Sequence, residues 1–132
     1  MCLACAVLMC MCAALPAAAS ADTSAVEEAQ YGVVRVISDA GYYLNLGTGF
    51  AVGKTDDDEE IIVTNNHVIE DPSFPIYVTI TDINGTIPAK LLYNDPQKDL
   101  AVIEVSEPLS QRHPLVLLDP DDLVKSQDVY CL

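Results

Sequence analysis

Basic residues are scarce in this sequence. Lys and Arg number 6 against 20 Asp and Glu, a formal net charge of −14 over 132 residues. That shortage excludes nucleic acid or an anionic membrane surface as partner, because both demand a basic footprint. The excess of acid instead fits a chain kept soluble by its own charge. Cysteine is scarce where it would count. Of the five, Cys2, Cys5, Cys10 and Cys12 lie within the first 21 residues, and Cys131 stands next to the last residue. If the first 21 residues are removed, no disulfide framework is left within the chain. An apolar core must then hold the fold, and no cofactor or metal is expected.

Charge of either sign is missing from residues 1–19. The run from Leu3 to Ala19 is almost wholly apolar, broken by Pro16, and leads into Ala17-Ala18-Ala19-Ser20-Ala21. Small residues at Ala19 and Ala21 fit an A-x-A cleavage site, so residues 1–21 read as a secretory signal peptide. The basic stretch that normally opens such a leader is lacking. A retained anchor is the rival reading, since an uncharged run of about 18 residues can span a bilayer. The alanine content, Pro16 and the cleavage-like end favour a cleaved signal. Met9 before Cys10 disfavours a lipoprotein anchor. The expectation is an exported protein, secreted or held in the periplasm or cell envelope.

No convincing long helix follows. Residues 22–30 form a polar lead-in, either a flexible arm or a turn of helix. The texture then changes to short β-type runs: Tyr31 to Ser38, Tyr42 to Val52, Glu60 to Thr64, Pro75 to Thr81, Thr86 to Tyr93 and Leu100 to Val105. In the fourth, Ile76, Val78 and Ile80 face one way and Tyr77, Thr79 and Thr81 the other, the period-two signature of a half-buried strand. Asn84-Gly85 marks a tight hairpin turn, because both residues tolerate positive φ. Ile87, Ala89, Leu91 and Tyr93 share one face of the fifth. The sixth is apolar on both faces except at Glu104. Six short strands so spaced predict an all-β domain over residues 31–106, a small antiparallel barrel or sandwich. A barrel leaves no exposed strand edge. A domain of this size has only a modest core.

Residues 107–132 read differently. Glu107-Pro108, His113-Pro114 and Asp119-Pro120-Asp121-Asp122 punctuate a long connection with one apolar run, Leu115 to Leu118. This predicts a linker leading to a second domain. A further β-like segment begins at Asp128-Val129-Tyr130-Cys131-Leu132, so the expectation is a strand cut short.

Two motifs carry chemistry. In Thr64-Asn65-Asn66-His67-Val68-Ile69 an Ile/Val strand runs into a histidine on a short helical turn. In Gln97-Lys98-Asp99-Leu100-Ala101-Val102-Ile103 an aspartate stands directly before an apolar strand. Alone, each reads as ordinary: a capping histidine, a turn aspartate. Their order matters, with Gly47-Thr48-Gly49-Phe50 ahead of the His strand and the Asp strand after it. Together these segments resemble the N-terminal half of a trypsin-like serine peptidase of the bacterial HtrA-like kind. Gln127-Asp128-Val129-Tyr130 resembles that family's first strand of the second barrel. The resemblance spans Tyr31 to Leu132.

The resemblance implies a six-stranded antiparallel Greek-key barrel, the first of two, with the start of the second. It implies that His67 is the general base and that Asp99 accepts the other ring N–H, fixing the tautomer and stabilising the imidazolium. It implies a polypeptide substrate, and a C-terminal barrel as intramolecular partner carrying the serine and the oxyanion donors. No Gly-x-Ser-Gly-Gly-like segment occurs in the sequence. Ser38, Ser73, Ser106, Ser110 and Ser126 lack the glycine neighbours that an oxyanion hole needs. The chain by itself is therefore expected not to hydrolyse peptides. A second class stays open: a secreted barrel without catalysis, kept for binding, or a truncated product without function.

The remaining features have plain readings. Asp56-Asp57-Asp58-Glu59-Glu60 lacks the spaced ligands and turn glycine of a calcium loop and reads as a solvated hairpin tip. His113 reads as a linker residue. Asn84-Gly85-Thr86 matches a glycosylation sequon, but the turn explains it. Gly47 and Gly49 fit a backbone passing close to a neighbour in a curved barrel.

Overall fold

The computed structural model describes residues 24–80, 85–106 and 113–132. The signal-peptide reading, Asn84 and residues 107–112 fall outside them. The lead-in is a helix, α1 (Ser24–Ala29), followed by a 3-10 turn at Gln30–Gly32. The strands are β1 (Val33–Asp39), β2 (Leu44–Lys54), β3 (Glu60–Thr64), β4 (Ile76–Thr79), β5 (Ile87–Asp95) and β6 (Leu100–Val105). A short helix, α2 (Asn66–Ile69), follows β3 directly.

The strands close into a barrel in the order β1-β2-β3-β6-β5-β4, every neighbouring pair antiparallel. β4 returns beside β1 after the consecutive β1-β2-β3, which is Greek-key connectivity. Alternate β-branched residues fill the interior. Val36, Ile62, Val78 and Ile103 are wholly buried, each worth about 1.5–3 kcal/mol of apolar burial. Val68 and Ile69 of α2 join this core, so the helix that carries His67 is packed on the barrel.

Gly49 and Gly47 make that packing possible. A Cβ at Gly49 would lie 2.7 Å from Ile62 Cγ2 and 2.9 Å from Val36 Cγ2. At Gly47 it would run into both γ-methyls of Val68. Both contacts are closer than packed carbon atoms tolerate.

The structure departs from the sequence reading in three places. Ile87, Ala89 and Leu91 pack against the core as expected, but Tyr93 is exposed. A bulge between Leu91 and Tyr93 inserts one residue and reverses the alternation. Glu60 opens β3 as expected, but it is buried there and not solvated as the acidic-tip reading has it. Within residues 113–132, Leu115 N–H donates to Ala51 O at 2.8 Å, and His113 packs edge-on to Tyr31. Finally, Asp128 to Leu132 forms no strand. A strand needs a partner's hydrogen bonds, and all six strands of the barrel are already paired on both sides.

Candidate active site

Barrel register brings the two motifs together. β3 and β6 pair antiparallel, with Thr64 opposite Ala101. The residues just after β3 therefore lie beside those just before β6. His67 is the second residue of α2, and Asp99 ends the turn that enters β6. His67 Nδ1 and Asp99 Oδ2 are 2.7 Å apart, and the His67 backbone N–H donates to Asp99 Oδ1 at 2.8 Å. Asp99 thus grips one residue at its ring and at its backbone.

Asn65 adds a third connection. Its Nδ2 donates to Asp99 O at 3.1 Å and to Asp99 Oδ2 at 3.3 Å. The carboxyl of Asp99 is held below its usual range, first by the His67 backbone N–H, then by the His67 side chain. Partial desolvation opposes this. Donors aimed at the ionised form favour it. Asp99 adopts φ 53°, a left-handed conformation that aspartate visits more readily than most residues.

The rest of α2 is tied down as well. Asn94 Nδ2 donates to Asn66 Oδ1 at 3.0 Å. Ser38, fully buried on β1, donates from Oγ to Ile69 O at 3.2 Å. Glu70, just past the helix, accepts from Tyr43 Oη at 2.8 Å and from Asn45 Nδ2 at 2.7 Å. Its carboxyl is lowered, chiefly by Asn45 and then Tyr43. The Tyr43 hydroxyl is pushed up to about 12, mainly by its bond to Glu70.

Asn65 and Asn66 stood inside the His motif, so their proximity was legible. Ser38, Tyr43, Asn45, Glu70 and Asn94 were not, because nothing local marks a residue whose partner lies on another strand. The His67 side chain is 72% exposed and that of Asp99 45%. Among the described residues Nε2 of His67 has no hydrogen-bond partner, and no group of three or more His, Cys, Asp or Glu is placed to hold a metal. Nor is any helix among them long and apolar enough to cross a membrane.

A closed Greek-key barrel with a histidine–aspartate pair set beside the β3–β6 ladder defines a class, the trypsin-like peptidases. The chain belongs to the trypsin-like peptidase domain family, which matches residues 47–132. It is 40% identical over 82 residues to a probable periplasmic serine endoprotease, DegP-like, of Chlamydia pneumoniae, covering 62% of this chain and 15% of that protein. A protein of the same description from Bartonella henselae is 41% identical over 61 residues, covering 46% of this chain and 11% of its own length. The crystal structure of the serine endoprotease from Yersinia pestis matches with a TM-score of 0.51 at 32% identity, over 61% of this chain and 27% of that one. The chain therefore corresponds to a small part of the curated relatives it matches.

Proposed function

We propose that this chain carries the base and the orienting acid of an exported serine endopeptidase, His67 and Asp99, with the nucleophile supplied by a second barrel. The observation that carries this reading is the double grip of Asp99 on His67, 2.7 Å at the ring and 2.8 Å at the backbone. Asp99 holds the neutral ring with its proton on Nδ1. Nε2 is then the nitrogen that takes the proton of a serine hydroxyl and returns it to the leaving amine. The imidazolium formed in between is stabilised by the adjacent carboxylate. The substrate is a polypeptide, and the second barrel brings the oxyanion donors with the serine. Export agrees with the leader-like residues 1–21 and with relatives described as periplasmic.

A chimera tests this. Residues 24–132 are joined to the second barrel of the Chlamydia pneumoniae relative, and hydrolysis of an unfolded polypeptide is followed. His67→Ala is expected to reduce the rate to background, and an unchanged rate overturns the assignment. The 132-residue chain alone is expected to resist a serine-directed phosphonate. Labelling there would overturn the claim that the nucleophile lies elsewhere.

A further inference from the structure

Asn65 occupies the N-cap of α2, with φ −81° and ψ 145°. Asparagine is favoured at that position because its side-chain oxygen accepts a backbone N–H from the first helical turn. Here it makes no such bond. The N–H it would ordinarily take, that of His67, is taken by Asp99 Oδ1 at 2.8 Å. The amide of Asn65 turns instead to Asp99, donating to its carbonyl at 3.1 Å and to Oδ2 at 3.3 Å. The two residues have exchanged roles. Asp99 caps the helix from another turn of the chain, and Asn65 holds Asp99 while it does so.

The exchange fixes the carboxylate in a particular way. Asp99 sits at φ 53°, where its backbone needs support. The NH2 group of Asn65 bridges the carbonyl and the carboxylate of the same residue. That closes a small ring through the Asp99 side chain and limits its rotation. Oδ2, the oxygen that receives the bridge, is also the one that meets His67 Nδ1 at 2.7 Å. A swing of the carboxylate would lengthen the bond that selects the ring's tautomer.

We propose that Asn65 is a positioning residue for the His67–Asp99 pair, locking the carboxylate so that neutral His67 keeps its proton on Nδ1. This rests on the reading of His67 and Asp99 given above. The Asn65 side chain hydrogen-bonds Asp99 and not the His67 ring, so it acts through Asp99.

The test is made on the full 132-residue chain with 15N-labelled histidine. It has two histidines, so His113 serves as an internal control. Imidazole nitrogen shifts give the ratio of Nδ1–H to Nε2–H tautomer for each ring. Asn65→Ala is expected to lower that ratio at His67 about fivefold, the size of one typical hydrogen bond, and to leave His113 unchanged. Asn65→Asp keeps the shape but replaces the donor with an acceptor facing a carboxylate, so its loss is expected to be larger. A role in packing alone predicts the reverse order, because the isosteric variant preserves the volume. If Asn65→Ala loses the barrel, seen as both histidines moving to water-like shifts, the isosteric variant decides. A parent-like His67 ratio in the folded variants overturns the proposal.

Asp99→Asn separates this from the reading beneath it. A parent chain whose His67 already favours the Nε2–H tautomer defeats the His67–Asp99 pairing itself. A parent that favours Nδ1–H, loses it in Asp99→Asn and keeps it in both Asn65 variants defeats only the role of Asn65.

Discussion

Asp58 and Asp99 are alike in sequence terms and in backbone. Each lies in a turn leading into a strand, with φ of 67° and 53°. Asp58 finds its partners within four residues. Its N–H donates to Thr55 O at 3.1 Å, and its Oδ1 meets Lys54 Nζ at 2.8 Å. Asp99 reaches 32 residues back to His67 and 34 back to Asn65. One aspartate closes its own turn; the other joins two turns. The difference comes from the β3–β6 pairing, which sets Thr64 opposite Ala101. Side-chain alternation makes such a register sensitive to a slip of one residue. The chemistry of the pair therefore depends on a strand ladder that neither aspartate's local sequence reveals.

The largest expected effect separates the two directly. In the chimera, Asp99→Asn leaves the shape but removes the charge and disturbs the tautomer, with an expected loss of about 10⁴-fold in turnover, as for the orienting acid of a Ser-His-Asp triad. Asp58→Asn removes an exposed local ion pair and is expected to leave turnover within about twofold. Steady-state hydrolysis of a peptide substrate measures both. Similar losses from the two variants would break the comparison.

How much was legible follows from the same contrast. Period-two alternation marked Ile76, Val78 and Ile80, and all three are buried. Glu60 to Thr64 and Leu100 to Val105 were bounded correctly because apolar runs between turn signals mark their own ends. His67 and Asp99 stood out through motif order, and the structure sets them in contact. The bulge beyond Leu91 left no mark, since an inserted residue looks like any other until its partner strand is in place. The cluster around Glu70 was equally silent: Tyr43 and Asn45 belong to a different hairpin, 27 and 25 residues away. Local pattern reports which face a residue takes. It does not report which distant residue it will meet.

Glycines of β2 give the next comparison, at intermediate size. Gly49 lies against Ile62 and Val36 and Gly47 against Val68, whereas a Cβ at Gly53 would meet nothing within 4 Å. Overpacking at Gly49→Ala or Gly47→Ala is expected to destabilise the barrel by about 1–3 kcal/mol. Gly53→Ala, with free space, is expected to change stability by no more than about 0.5 kcal/mol. Urea unfolding of the 132-residue chain measures all three. Gly47→Ala has a second expected signature, because the displaced Val68 is the neighbour of His67 on α2. The His67 resonances should move in Gly47→Ala and stay in place in Gly53→Ala.

The smallest expected effect concerns acid. The Asp99 carboxyl is lowered from 3.8 by the His67 and Asn65 donors. A carboxylate lowered on folding stabilises the folded state above its unfolded value and ceases to do so as pH falls through its folded value. The stabilisation by Asp99 should therefore be present at pH 5 and fade below 3.8. The Asp99 side chain is 45% exposed, so solvent screening keeps the effect on the whole barrel modest. Urea midpoints of the parent and of Asp99→Asn, measured at intervals from about pH 5 down to about pH 2, isolate it. The parent's advantage is expected to shrink steadily over that range, because the asparagine has no proton to gain. A constant advantage down to the lowest pH would mean that the donors around Asp99 do not favour its ionised form, and the grip on His67 would then owe its strength to shape and not to charge.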